Sequence, residues 1–121
     1  MFINICLVGV GGASGCILRY LCQRWLNLDA FPIGTLAVNI LGCLLFGIFW
    51  GLFTRDSNDM LRLLLLTGFC GGFTTFSSFT YEGVQMMMTD RWLLFITYTA
   101  ISVVVGLLAT VAGLKISSSI I

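Results

Sequence analysis

Apolar residues along this chain gather into four long stretches, separated by brief polar punctuation. They run about 3–25, 33–53, 60–87 and 92–116. Each is near the roughly 20 residues that carry a helix across about 30 Å of hydrocarbon. Asn27-Leu28-Asp29 before Pro32, Asp56-Ser57-Asn58-Asp59, and Thr89-Asp90-Arg91 hold the turn chemistry between them. The pattern predicts an all-α membrane protein with four transmembrane helices, and residues 1–121 form a single transmembrane domain. No basic region precedes the first apolar stretch and no convincing small-residue cleavage site follows it, so it is expected to stay as a membrane helix.

The third stretch departs from the pattern. It contains Gly71-Gly72-Phe73-Thr74-Thr75-Phe76-Ser77-Ser78-Phe79-Thr80-Tyr81-Glu82, glycines and hydroxyls at a density that should interrupt a helix. Inside a bilayer, irregular backbone is tolerated only where protein buries it or a wet cavity borders it. The third helix is therefore expected to be broken mid-membrane at Gly71-Gly72, beside a polar path. A break there frees carbonyls of the kind that replace a small cation's hydration shell; a simple glycine kink for packing is the alternative.

Composition narrows the function classes. Apolar residues make up 59% and charged residues 9% of 121, so lipid is the solvent for most of the surface. A net charge of +1 leaves no basic stripe for nucleic acid. There is no histidine, and the five cysteines make no Cys-x-x-Cys pair, so they read as packing residues rather than a metal or disulfide framework. Without a nucleophile–base pair or a carboxylate pair in a cleft, an enzyme has no machinery here. The run Gly9 to Gly15 has the wrong spacing for a dinucleotide loop and follows no strand.

Basic residues near the segment ends are balanced. One side carries Arg55, Arg62 and Lys115; the other carries Arg24 and Arg91, with Arg19 somewhat deeper. The positive-inside rule thus gives almost no instruction. Either another feature orients the chain, or it inserts both ways up. Gly11 with Gly15, Gly47 with Gly51, and Gly68 with Gly72 are spaced for close helix contact. Four thin helices leave little room for a conduit, which makes a homo-oligomer the economical solution.

Several polar groups are candidates for chemistry. Asn39, mid-way along the second stretch, either bonds a neighbouring helix or faces a polar track as a donor for an anion. Phe69, Phe73, Phe76 and Phe79 are spaced to share one broad helical face, with hydroxyls on the others. Ring edges carry partial positive charge and suit an anion that must shed water. Glu82 is a functional candidate or an interfacial residue. Arg19 snorkels to headgroups or biases a vestibule toward anions. Tyr98, Ser102, Gly106 and Thr110 form a small-and-polar ridge at steps of four.

Gly11-Gly12-Ala13-Ser14-Gly15 leading to Arg19-Tyr20, the Gly34-Thr35 to Asn39 and Gly42 pattern, and Gly71 to Phe79 resemble the small bacterial fluoride channels (CrcB/Fluc). The resemblance covers nearly the whole chain in order. It implies an antiparallel, dual-topology homodimer, in agreement with the flat charge balance. It also implies a structural sodium ion (Na+) at the dimer centre, held by backbone carbonyls of Gly71 and Thr74 from both copies. Phe76 and Phe79 would be the ring-edge contacts for fluoride and Asn39 a donor. Ser77, Glu82, Tyr98 and Ser102 would be further members of the pathway, and Arg19 matches the family's arginine. Function would be passive fluoride export across a bacterial inner membrane. Cys16, Ser78 and Thr80 depart from the commoner Ala, Thr and Ser, and Gly106 stands where another hydroxyl is expected. The rivals are a small multidrug-type transporter, which would need a carboxylate in the first span, and a non-transporting membrane subunit.

Overall fold

The computed structural model describes residues 1–55 and 58–120, all helical or connecting backbone with no strand among them. Asp56 and Ser57, half of the expected second turn, lie outside the described residues. Helix α1 spans Phe2–Leu26 and α2 Ile33–Arg55. Next come α3 (Asp59–Arg62), a π-helical segment (Leu63–Cys70) and α4 (Gly71–Phe73), followed by α5 (Phe76–Met88) and α6 (Trp92–Ile120). Four runs are long and apolar enough to cross a membrane: Phe2–Leu26, Ile33–Thr54, Asp59–Met88 and Trp92–Ser119. The chain is a multi-pass membrane protein.

The ends of these runs are set by local chemistry. Asn58 caps α3, its side chain accepting from the Leu61 N–H at 3.2 Å. The Pro32 carbonyl accepts the first bond of α2, from Leu36 N–H. α5 stops where Asp90 takes a positive φ of 59°, a conformation that Asp adopts more readily than most residues. Arg91 then ties the two turns at this end together, donating through Nη1 to the Ala30 carbonyl at 3.1 Å.

Two glycine seams hold the helices. A Cβ on Gly11 would run into the Leu64 carbonyl, and one on Gly15 into the Phe69 carbonyl. Gly72 faces Gly12 in the same way, so α1 lies backbone-to-backbone against the π-helical segment and α4. On the other side, Gly47 and Gly113 bring α2 against α6. Small residues permit this approach where dispersion, not the hydrophobic effect, drives association. Large apolar side chains such as Phe2, Trp25, Leu93 and Leu107 stay exposed, as a lipid-facing surface requires.

Within Asp59–Met88 the irregularity differs from the expectation. Gly71 is helical (φ −61°, ψ −38°) and Gly72 lies within α4. The residues with extended angles are Thr74 (φ −85°, ψ 158°) and Thr75 (φ −148°, ψ 122°). Gly72 is needed for contact with Gly12 rather than for a turn, and a free Thr75 hydroxyl can start a new helix. The π-helical stretch just upstream has no counterpart in the sequence pattern. The expected four-ring Phe face is also divided by the junction. Phe69 stacks on Phe73 at 5.6 Å, with Phe73 4% exposed, whereas Phe76 is 76% exposed.

Candidate functional site

The Thr74–Thr75 junction is where most of the unusual chemistry collects. Asn39 on α2 meets it with a reciprocal pair: Nδ2 donates to the Thr75 carbonyl at 3.0 Å, and Oδ1 accepts from the Thr75 N–H at 2.7 Å. Thr75 Oγ1 accepts from the Ser78 N–H at 3.1 Å, capping α5. The Thr74 N–H and hydroxyl both donate to the Cys70 carbonyl, at 3.1 and 3.0 Å. From α1, Arg19 Nε donates to the Gly72 carbonyl at 3.0 Å. In a continuous helix Gly71 would accept from Thr75 N–H, and Thr74 from Ser78 N–H. Both donors are diverted here, leaving those two carbonyls without helical partners.

Beside the junction lies a cavity of about 520 Å³. Asn39, Gly71, Thr74, Phe76, Phe79 and Ser102 all border it. Ser102 Oγ is buried and has no hydrogen-bond partner among the described residues; the same holds for Thr99 Oγ1, one turn earlier. Rings continue from here toward the other end of α5. Phe76 and Phe79 are 5.9 Å apart between centroids, Phe79 and Tyr98 5.2 Å, and Tyr98 meets Phe31 edge-on at 5.4 Å.

Tyr98, fully buried, leads to Glu82. Its hydroxyl donates to Glu82 Oε1 at 3.4 Å, while Oε2 accepts from Thr35 Oγ1 at 3.0 Å and Asn27 Nδ2 at 3.3 Å. Gln23 Nε2 donates to Thr35 Oγ1 at 3.0 Å, and Asn27 Oδ1 accepts from Thr35 N–H at 3.1 Å. Donors from the α1 end, α2 and α6 thus converge on one carboxylate. A second cavity, about 470 Å³, opens beside it and is bordered by Tyr20, Gln23, Arg24 and Glu82.

The sequence model of a family described as CrcB-like protein, Camphor Resistance (CrcB), matches residues 6–114. The chain belongs to this CrcB family. It is 42% identical over 118 residues to a fluoride-specific ion channel FluC of Phocaeicola vulgatus, covering 94% of this chain and 98% of that one. Against the protein of the same name in Rhizobium etli it is 44% identical over 124 residues, covering 98% and 99%. A Pseudomonas putida FluC is 44% identical over 122 residues, with 97% and 98% covered. These CrcB relatives carry a channel's name and not an enzyme's.

In this CrcB chain the singled-out residues fall into three groups. Asn39, Gly71, Thr74, Phe76, Phe79 and Ser102 share the first cavity. Glu82 and Tyr98 share the carboxylate network. Ser77 and Arg19 border neither cavity: Ser77 Oγ lies 3.3 Å from Thr75 Oγ1, and Arg19 is engaged with Gly72. Gln23, Asn27, Thr35, Thr75 and Thr99 join the site as well; the sequence marks Asn27 only as a turn residue and Thr35 and Thr75 only within longer motifs. Signals for some existed in the spacing. Arg19 and Gln23 are four apart, as are Thr35 and Asn39, so each pair occupies one helix face, and Asn27 follows four residues on, just past the end of α1.

Proposed function

We propose that this protein is a fluoride channel, working as two copies set head-to-tail in a bacterial inner membrane. The observation that carries the reading is the one cavity bordered by Phe76, Phe79, Asn39 and Ser102, whose hydroxyl has no hydrogen-bond partner among the described residues. A dehydrated halide needs such donors, and the relatives' name supplies its identity. The junction at Thr74–Thr75 is then a break within the membrane, and the hydrogen bonds from Asn39 and Arg19 make its depth tolerable. Ser77, Glu82 and Tyr98 extend the path toward the second cavity.

The flat distribution of basic residues supports two orientations, and the exposed side of the junction supports a second copy there. Sodium fits as the ion between copies. Gly71 and Thr74 offer carbonyls stripped of helical donors, and hard cations take oxygen ligands. Among the described residues no group of three acidic, Cys or His side chains competes as a metal site. Bound there, the ion would tie the two junctions together. Export needs no further machinery, since a monovalent anion leaving an inside-negative cell gains about 2.3 kcal/mol per 100 mV. No carboxylate stands in Phe2–Leu26 to serve a multidrug-type proton exchange.

Purified protein in liposomes loaded with potassium fluoride tests this with a fluoride electrode. Valinomycin-triggered efflux, absent with chloride loading, is the expected result. Drug-driven proton exchange, or no transport at all, would favour one of the two rivals instead.

A further inference from the structure

Arg19 has a role that neither a headgroup anchor nor an electrostatic lure explains. Its guanidinium is half-buried and points into the protein, with Nε on the Gly72 carbonyl at 3.0 Å and Nη1 toward Gln23 Oε1 at 3.5 Å. It borders neither cavity, whereas Arg24, one turn on, is exposed and lines the second one. The Gly72 carbonyl would take Phe76 N–H if the helix continued; the junction removes that donor. A cation at the last carbonyls of a helical segment is also favoured by the segment's dipole.

The sides of α4 matter. Gly72 faces α1, since a Cβ there would meet Gly12, while Gly71 is exposed and borders the first cavity. Arg19 therefore takes the carbonyl on the α1 side, and Asn39 takes both main-chain groups of Thr75 from the α2 side. We infer that Arg19 is a positioning residue: with Asn39 it clamps the Thr74–Thr75 junction, holding Gly71 and Thr74 in place beside the first cavity. Its charge is spent on backbone rather than on drawing anions to an entrance. The fork geometry is part of the role, because one planar group reaches Gly72 and Gln23 in fixed directions, which an ammonium cannot do.

The test uses the full-length protein with Arg19→Gln, Arg19→Lys and the control Arg24→Gln. The first readout is amide hydrogen exchange over residues 73–79 in detergent micelles, which stands whether or not the protein conducts fluoride. Exchange there should rise about tenfold or more in Arg19→Gln, the scale of losing a charge-assisted hydrogen bond, and stay unchanged in Arg24→Gln. Arg19→Lys should keep at least half of the effect on a logarithmic scale; if Arg19→Gln does not give monodisperse protein, this variant carries the test. The second readout, which rests on the fluoride-channel reading, is efflux at low and high background salt. Both Arg19 variants should lose flux equally at either salt, because a short internal bond is not screened as an exposed charge is. Unchanged exchange, recovery of more than half of the effect by lysine, or a flux loss confined to low salt would overturn the role. Wild-type protein that passes no fluoride would sink the channel reading and leave exchange to judge the clamp.

Discussion

Replacing Asn39 with leucine separates two roles that an Asn in this place can have. The side chain has similar size but neither donor nor acceptor. In the wild type its amide makes a 2.7 Å and a 3.0 Å bond with the same residue, Thr75, whose main-chain groups have no helical partners. Removing the amide strands one N–H and one C=O. A fully buried stranded group costs about 1–3 kcal/mol. Within membranes the average interhelical hydrogen bond is worth only about 0.6 kcal/mol, because the unfolded state also finds partners. Asn39 and Thr75 are both partly buried and border a cavity that admits water, which places the effect between these limits. We expect a loss of about 2 kcal/mol, within a range of about 1 to 4.

Reversible unfolding in mixed SDS and dodecyl-maltoside micelles, followed by tryptophan fluorescence, measures that loss directly. Flux should fall in the same variant. The informative outcome is the pairing of the two. If Asn39 were only a donor to a passing anion, flux would fall with stability unchanged, and the Asn39 amide would not be what holds the junction. A variant equally stable and equally conductive would refute both roles at once.

Three further expectations follow from other parts of the molecule. Gly15→Ala places a methyl against the Phe69 carbonyl, so α1 must separate from its neighbour; about 1–3 kcal/mol of unfolding stability should be lost by the same micelle assay. Thr35→Val keeps the shape of a fully buried side chain but removes the hydroxyl shared by Gln23 and Glu82, and should cost about 1–3 kcal/mol with reduced fluoride efflux. Phe79→Ile removes a ring placed between Phe76 and Tyr98; efflux should drop while size-exclusion profiles stay those of the wild type, and undiminished efflux would argue against a ring-edge contact.

What the sequence discloses depends on the range of the interaction. Four apolar runs and the Gly11–Gly15 and Gly68–Gly72 spacings depend on one helix's own periodicity, and the structure uses each pair to seat α1 on the segment from Leu64 to Phe73. The position of the junction did not follow from composition. Glycine is both a helix breaker and a contact residue, and only the presence of Gly12 opposite Gly72 decides for contact. The interruption then falls to Thr75, whose hydroxyl caps the next helix. Arg19 is ambiguous in the sequence, and Thr35 inconspicuous, for a similar reason. Their partners, Gly72 and Glu82, lie 53 and 47 residues away, and no local spacing links them.

The hydrogen bonds around the junction are unevenly distributed between its two sides. Toward α1 and α2, the Gly72 carbonyl and both Thr75 main-chain groups are satisfied by long side chains from neighbouring helices. Beside the first cavity, which Gly71 and Thr74 both border, the carbonyls of these two residues have lost their helical donors to Asn39 and Thr75 Oγ1. A carbonyl left bare in hydrocarbon costs several kcal/mol, so lipid cannot be what covers these two. On the proposed reading of the junction as a break within the membrane, water, a cation or another polar surface covers these carbonyls. In the proposed head-to-tail pair, a second copy would bring the same two carbonyls and no donor, which is the argument for the proposed cation there. Exchanging sodium for a large organic cation such as N-methyl-glucamine should then lower the stability of the assembled pair in micelles. Equal stability in both salts would point to water as the cover.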